Sequence, residues 1–406
     1  MRIGLVTQHP FPIDREVRAR KMAHSLARAG DRIAVFAPRI AGPFEVDGAG
    51  EGAVTLHAVP EPGTLARRLP VVGTPTPFDV AWHRALRKAA VELGLEAFLC
   101  RDLRLAVPCL AAGRGGRIPV VLDLAENMHA MVRIEGLARR GRVRTALMAG
   151  AVGALERRCA AAADHVTVVS ETNRRRLVGL GVREDRISVV GNTPLLEDAA
   201  GATPEGPGNA SRHAAGDAGP PRLVYVGILT PQRGIARVIE ALAALREEGV
   251  LLRLDVYGDG RDRARLEEIT GRRGAADRVT FHGWVDAADI RGIMAAYDVG
   301  IIPHDVNAHT NTTVPNKVYD YMAAGLPVLA TSMEPVAEIL RDGGCGWTAD
   351  PDPAALAAAL RVVAGTDRRE LAAMGARGRA AILDRLNWDV DAARLRGILH
   401  GLGRTA

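Results

Sequence analysis

The segment Pro315–Ser332, PNKVYDYMAAGLPVLATS, sets an amide, an ammonium and a carboxylate close together at Asn316, Lys317 and Asp320. Its spacing predicts a helix, a tight Ala-Ala-Gly turn and a short apolar strand. On that helix Lys317 and Asp320 reach one face, while Val318 and Met322 turn to the core. A helix beginning at Asn316 also offers backbone N–H donors and the positive end of its dipole. Lys317 or the Asn316 amide can meet phosphate oxygens, and the Asp320 carboxylate can accept from both hydroxyls of a ribose. The chemistry suits a phosphorylated ligand that carries hydroxyls, such as a nucleotide sugar. The plain alternative is an exposed ion pair of little energetic value, against which the helix ends abruptly at Gly325-Leu326-Pro327.

A second segment, LVYVGILTPQRG at Leu223–Gly234, reads as a strand, a glycine at its end, a short loop and then a helix, IARVIEALAALREEG. Gly227 would let the backbone approach a ligand, and Arg233 stands where a guanidinium can hold diphosphate oxygens beside a helix N-terminus. Alone, this segment is equally well read as a surface arginine near a helix start. Paired with PNKVYD, it becomes the second half of a phosphate site.

The first half of the chain offers acid–base candidates. Glu126, at the end of VVLDLAEN, could deprotonate or orient an acceptor hydroxyl, but a carboxylate there equally caps a helix. His129 is a rival close by, although a lone histidine is more often merely solvated. Asp14, Arg15 and Arg18 could touch an acceptor or the transferred sugar; a capped, solvated helix start is the simpler reading. His304, Asp305 and His309 fit no standard zinc spacing and read as polar loop residues. Cys100, Cys109, Cys159 and Cys345 form no Cys-x-x-Cys pair and read as buried free thiols rather than metal ligands.

These side chains need a frame. Apolar runs alternate with helical stretches at 3–7, 32–38, 53–59, 97–100, 119–124 and 165–170, and again at 222–227, 251–258, 278–283, 298–303 and 327–330. That is the rhythm of βα units on parallel sheets, stated twice. We expect an α/β chain with a first domain over 1–197 and a Gly/Pro/Ala linker over 198–221. A second domain follows over 222–385, and a C-terminal helix over 386–406 packs back across the domains. Open parallel sheets place ligands at the carboxyl ends of their strands, so the ligand belongs in a cleft between the two domains.

With 406 residues, 48% hydrophobic and only 4% aromatic, the chain can bury cores built of Ala, Leu and Val. The net charge of +6 is modest and dispersed, which does not indicate nucleic-acid binding. The opening IGLVT reads as a first strand and not a signal peptide, so a cytoplasmic location is expected. High Ala, Arg and Gly usage suggests a high-GC bacterial gene. No stretch reaches the roughly 20 apolar residues of a membrane span. The arginine-rich Arg133–Arg158 could make peripheral membrane contact, although a solvated amphipathic helix is the simpler reading.

YVG…RG and PNKVYDYMAAGLPVLAT, with LDVYGDG, RVTFHGWV, YDVGIIP and EPVAEIL in their order, resemble the donor half of the family 4 (group 1) glycosyltransferases. TQHPFPIDREVRARKMAHSLARAG, VVLDLAEN, VTVVSE and VVGNTP resemble the other half. The resemblance implies the GT-B fold, with two Rossmann-like doubly wound domains facing a central cleft. It implies transfer of a sugar from a nucleoside diphosphate sugar to an acceptor hydroxyl, with retention and without a metal or other cofactor. The acceptor would be a glycan, a lipid-linked molecule or a small molecule. By the same resemblance Arg233 neutralises the donor diphosphate, Asp320 binds ribose on a shorter arm than the usual Glu, and Asn316 and Lys317 lie near the phosphates.

The chain departs from the pattern at Ile228, where a second Arg is usual, at Thr312 in place of a sugar-binding Glu, and at Ala125 in place of a His. Lys317 would then compensate for Ile228, and Asn311, Thr312 or Thr313 would recognise the sugar. The departures also motivate a second reading, a non-catalytic nucleotide-sugar-binding or partner subunit. A third, a nucleotide-sugar epimerase of the same fold, would need acid and base groups around the sugar.

Overall fold

A computed structural model describes residues 1–13, 17–50, 52–59, 79–139, 141–197, 219–286 and 289–403. They form two compact units, Met1–Asn192 with Trp388–Ala406, and Thr193–Asn387. Of the expected linker over 198–221, residues 198–218 lie outside the described residues.

In the first unit seven parallel strands run β1 (Arg2–Val6), β2 (Arg32–Ala37), β3 (Val54–Ala58), β4 (Ala97–Arg101), β5 (Val120–Leu124), β6 (His165–Val168) and β7 (Ile187–Val189) along the chain. Their order in the sheet is β3-β2-β1-β4-β5-β6-β7. Helices α1 (Val17–Arg28), α2 (Val80–Glu92), α3 (Ala106–Gly116), α4 (Met128–Arg139), α5 (Arg142–Ala162) and α6 (Glu171–Gly179) join them. Every residue of β5 is buried, including Asp123, because helices cover both faces of a parallel sheet.

The second unit has six parallel strands, β8 (Arg222–Val226), β9 (Arg253–Tyr257), β10 (Val279–Gly283), β11 (Val299–Ile302), β12 (Val328–Thr331) and β13 (Gly346–Ala349), ordered β10-β9-β8-β11-β12-β13. Its helices are α7 (Ile235–Glu247), α8 (Arg263–Arg272), α9 (Ile290–Met294), α10 (Asn316–Ala323), α11 (Glu334–Gly343), α12 (Pro353–Gly365) and α13 (Arg368–Asp384). The last helix, α14 (Trp388–Gly403), returns to the first unit. There the Trp388 indole N–H donates to the Ser25 hydroxyl at 2.7 Å, and Arg396 Nε donates to the buried Asp31 at 2.9 Å.

Both sheets reverse their strand order once, between β1 and β4 in the first unit and between β8 and β11 in the second. Such switch points open a crevice at the carboxyl ends of the parting strands. In the second unit β8 and β11 pair only at Leu223↔Val299 and Val224↔Gly300. Beyond that point the Tyr321 hydroxyl substitutes for the missing strand, accepting from Val226 N–H at 3.1 Å and donating to the Val224 carbonyl at 3.3 Å. The Tyr321 ring occupies the space where any Cβ at Gly300 would stand, so glycine is required there. One tyrosine thus fixes α10 against the parting strands.

Candidate functional site

The PNKVYDYM segment forms α10 as its spacing predicts, with Val318, Tyr319, Tyr321 and Met322 buried, Lys317 half-buried, and Asn316 and Asp320 exposed. Its first turn carries no side-chain cap, which leaves the positive end of the helix for a ligand. Lys317 leans along the end of β8, its Nζ 5.4 Å from the Tyr225 ring centroid. A Cβ at Gly227, whose φ is 139°, would lie 2.6 Å from Lys317 Cε. Glycine suits this position for its backbone conformation, and the end of the Lys317 side chain occupies the space that its missing Cβ leaves.

Arg233 closes the short turn Pro231–Arg233 ahead of α7. Its Nη1 lies 3.2 Å from Nδ1 and 3.3 Å from Nε2 of His304, which is 1% exposed at the carboxyl end of β11. Arg237 donates to the Asp305 carboxylate at 2.8 Å and to the Pro303 carbonyl at 2.9 Å, fastening α7 to the same strand end. The local field is positive. Burial and the neighbouring Arg233 push the Lys317 ammonium down to about 8, with Asp320 pulling the other way. Burial, Arg233, Lys317 and Arg237 together hold His304 well below the usual imidazole range, hence neutral.

The polar run before α10 serves mainly itself. Thr312 is 6% exposed and its hydroxyl donates to the His309 carbonyl at 2.9 Å; Thr313 donates to the same carbonyl at 3.4 Å. The Asn311 amide oxygen accepts from Glu334 N–H at 3.1 Å, at the start of α11. Ile228 is 54% exposed, and its carbonyl accepts from the Tyr225 hydroxyl at 3.1 Å.

At the switch point of the first unit, Glu126 follows β5. Burial and the nearby Asp102 push its carboxyl up to about 7, against the pull of Arg101 and Arg18. Asp102, just past β4, is 5% exposed, accepts from the Gln8 amide at 3.2 Å, and adopts φ 71°, ψ 156°. That is a glycine region of backbone space, which costs a side-chain residue roughly 1–3 kcal/mol and tends to persist at functional sites.

Arg18 corrects the expectation of a solvated helix start. It is 3% exposed and grips Asp123 through two contacts, Nη2–Oδ1 at 2.7 Å and Nε–Oδ2 at 2.9 Å, while Nη2 also donates to the Val190 carbonyl. Burial alone would raise the Asp123 carboxyl, but Arg18 outweighs it and holds the group below the usual carboxylate range. Asp14 and Arg15 lie outside the described residues. His129 sits on α4 with Nδ1 2.8 Å from the Ala149 carbonyl, so its ring is committed to the contact with α5.

The structure thus brings Gly227, Arg233, Asn316, Lys317 and Asp320 to one edge of the second unit. The sequence reading missed Asp102 and the buried position of His304. The only signals were a charged pair, Arg101-Asp102, after the apolar AFLC and a histidine straight after DVGIIP. All four cysteines are buried and free, and among the described residues no group of three or more His, Cys, Asp or Glu could hold a metal.

A family model described as a glycosyl transferase 4-like domain matches residues 16–193, and one described as glycosyl transferases group 1 matches residues 220–365. The chain is 27% identical over 185 residues to the putative colanic acid biosynthesis glycosyltransferase WcaL of Escherichia coli, covering 45% of this chain and 46% of that one. It is 31% identical over 148 residues to a GDP-mannose-dependent alpha-(1-6)-phosphatidylinositol dimannoside mannosyltransferase of Mycobacterium tuberculosis, covering 36% of each. The matched segments span less than half the length of these relatives. Among solved structures, Anabaena Alr3699/HepE in complex with UDP superposes with a TM-score of 0.70 at 17% identity, over 99% of this chain and 100% of that one. The two family models fall one on each sheet, and the two-domain α/β architecture agrees with them: the chain belongs to the group 1 (family 4) glycosyltransferases of the GT-B fold.

Proposed function

We propose that this chain transfers a sugar from a nucleoside diphosphate sugar to an acceptor hydroxyl. The observation that carries the reading is the cationic edge of the second sheet, where burial and then the neighbouring Arg233 lower the Lys317 ammonium to about 8. An anion arriving there relieves both. As the bond from the anomeric carbon to the diphosphate breaks, charge grows on the leaving oxygens. Arg233, Lys317 and the N-terminus of α10 are already in place to receive it. These cations can balance that charge by themselves, which supports metal-independent transfer, and retention at the anomeric carbon belongs to the same proposal.

Asp320, exposed at the same edge, accepts from the ribose hydroxyls. The Thr312 hydroxyl is occupied within its own turn, so the sugar meets this segment through backbone N–H groups or Asn311. On the first unit, a Glu126 carboxyl held at about 7 is poised to take or orient the acceptor proton near neutral pH. UDP in HepE and GDP-mannose in the mycobacterial relative's name both support a nucleoside diphosphate donor. The names of the two relatives support a saccharide acceptor, either a glycan or a glycolipid. Exposed Val143 and Leu147, at 75% and 71%, stand beside Arg142 and Arg144 on α5 and favour contact with an anionic lipid surface.

The test is turnover. The full chain is incubated with a panel of nucleoside diphosphate sugars and with glycan and glycolipid extracts, and the products are read by mass spectrometry. A new glycoside with a matching amount of free nucleoside diphosphate supports the reading. An epimerised sugar nucleotide, or binding without turnover across the panel, contradicts it.

A further inference from the structure

We propose that His304 is a positioning residue for Arg233, a planar ring that supports the guanidinium and aims it at the diphosphate without cancelling its charge. The inference rests on the donor reading given above and extends it to a residue outside the ligand's own contacts.

His304 is firmly held. It stands two residues past the end of β11, and its carbonyl accepts from the buried Thr331 hydroxyl at 2.6 Å. On one side the preceding Pro303 carbonyl accepts from Arg237 at 2.9 Å; on the other, Asp305 N–H donates to the Gln232 carbonyl at 2.9 Å. Gly234, with φ 70°, packs so closely on the Pro303 carbonyl that a Cβ would overlap it. The turn carrying Arg233 and the strand end carrying His304 are therefore fastened together on both sides. The imidazole has little room to turn, and the guanidinium lies against it.

Charge explains why a histidine suits this place. Arg233 Nη1 is almost equidistant from the two ring nitrogens, at 3.2 and 3.3 Å, which sets it over the ring and not along either in-plane lone pair, so the imidazole supports the guanidinium through its face in either neutral tautomer. A carboxylate here would orient Arg233 equally well but would neutralise it and repel the diphosphate. An aliphatic side chain would leave the charge intact and the fork unaimed. Imidazole kept neutral does neither, and its environment enforces that state: Arg233, Lys317 and Arg237 all oppose protonation, and the ring is buried. Among nearby carboxylates, Asp305 is paired with Arg237.

The test compares H304L, H304Q and H304E in the full chain, alone and combined with R233A. UDP and GDP are each titrated by calorimetry, and a melting curve confirms that each variant folds. H304L should weaken whichever nucleoside diphosphate binds by roughly tenfold, the loss of the planar face that orients the guanidinium. H304Q, which retains a neutral planar group, should recover most of that loss, and H304E should bind more weakly than H304L. In the R233A background H304L should add nothing, because its partner is gone.

Wild-type affinity in H304L, or equal and additive losses in the presence and absence of Arg233, would overturn the proposal. If H304L does not fold, H304Q against H304E decides it: equal affinities for the two contradict it. An R233A variant that binds as tightly as wild type sinks the donor reading itself, and with it this one. A sensitive R233A with an insensitive H304L sinks only the role of His304.

Discussion

Titrating donor affinity against pH tests the cationic edge in quantitative terms. Lys317 ordinarily holds its proton to 10.5; burial and Arg233 lower that to about 8 in the unligated protein. A bound diphosphate restores the ammonium, so the bound-state value lies above the free one. Affinity is then fully present below about 8 and is lost as pH rises toward the bound-state value. About ten in eleven free molecules carry the charge at pH 7 and about one in eleven at pH 9. The apparent dissociation constant should therefore rise about tenfold between them.

The nucleotide's own secondary phosphate ionisation, at about 6, is already about ten-elevenths complete at pH 7 and so contributes little over that interval. Burial raises the Tyr225 hydroxyl well above it, so that group does not interfere. Calorimetry at constant ionic strength, with UDP or GDP, reads the slope directly. K317R should bind with a flat profile because arginine keeps its charge. K317M should be flat and weaker at pH 7. A wild-type profile that is level from pH 7 to 9, or a K317M profile with the wild-type slope, would refute the reasoning.

Other consequences are separable from that one. D320N should lower affinity for ribonucleoside diphosphates about tenfold and leave their 2′,3′-dideoxy analogues unaffected, since the ribose hydroxyls are its partners; equal losses for both would remove it from the ribose. Breaking the buried pair with R18A should cost about 3–5 kcal/mol in urea unfolding of the first unit, by stranding the Asp123 carboxylate, and a cost below about 1 kcal/mol would show the pair to be dispensable. Glu126 has a folded-state value of about 7, above the ordinary 4.5, so the protein should lose stability as pH rises through that window. E126Q should flatten the dependence, worth on the order of 1–3 kcal/mol at pH 8, and should slow transfer while leaving nucleotide affinity intact; an unchanged pH profile argues against the assignment. Replacing Val143 and Leu147 with Glu should abolish co-sedimentation with anionic vesicles, and identical sedimentation of variant and parent would exclude that face.

Much of the frame was legible because parallel strands buried on both faces leave short, nearly continuous apolar runs, as VVLDL and VGII do. The two strands that escaped the reading, β7 and β13, are ISV and GWTA at the margins of their sheets, too short and mixed to stand out. The donor edge was legible for a different reason: Lys317, Asp320 and the helix end lie within one turn of each other, so local periodicity places them. Arg18 and Asp123 are separated by most of the first unit, and only the strand order brings them together. The same holds for Arg233 and His304, joined across the switch point of the second sheet. His304 looked like a loop residue because polarity in sequence signals solvent, whereas here it is buried beneath an arginine.

The most direct measurement is a crystal structure of the full chain soaked with UDP or GDP. Diphosphate density should lie between Arg233, Lys317 and the first turn of α10, with the ribose hydroxyls on Asp320. A well-ordered nucleotide bound away from the carboxyl ends of β8 and β11, with Arg233 and Lys317 untouched, would contradict it.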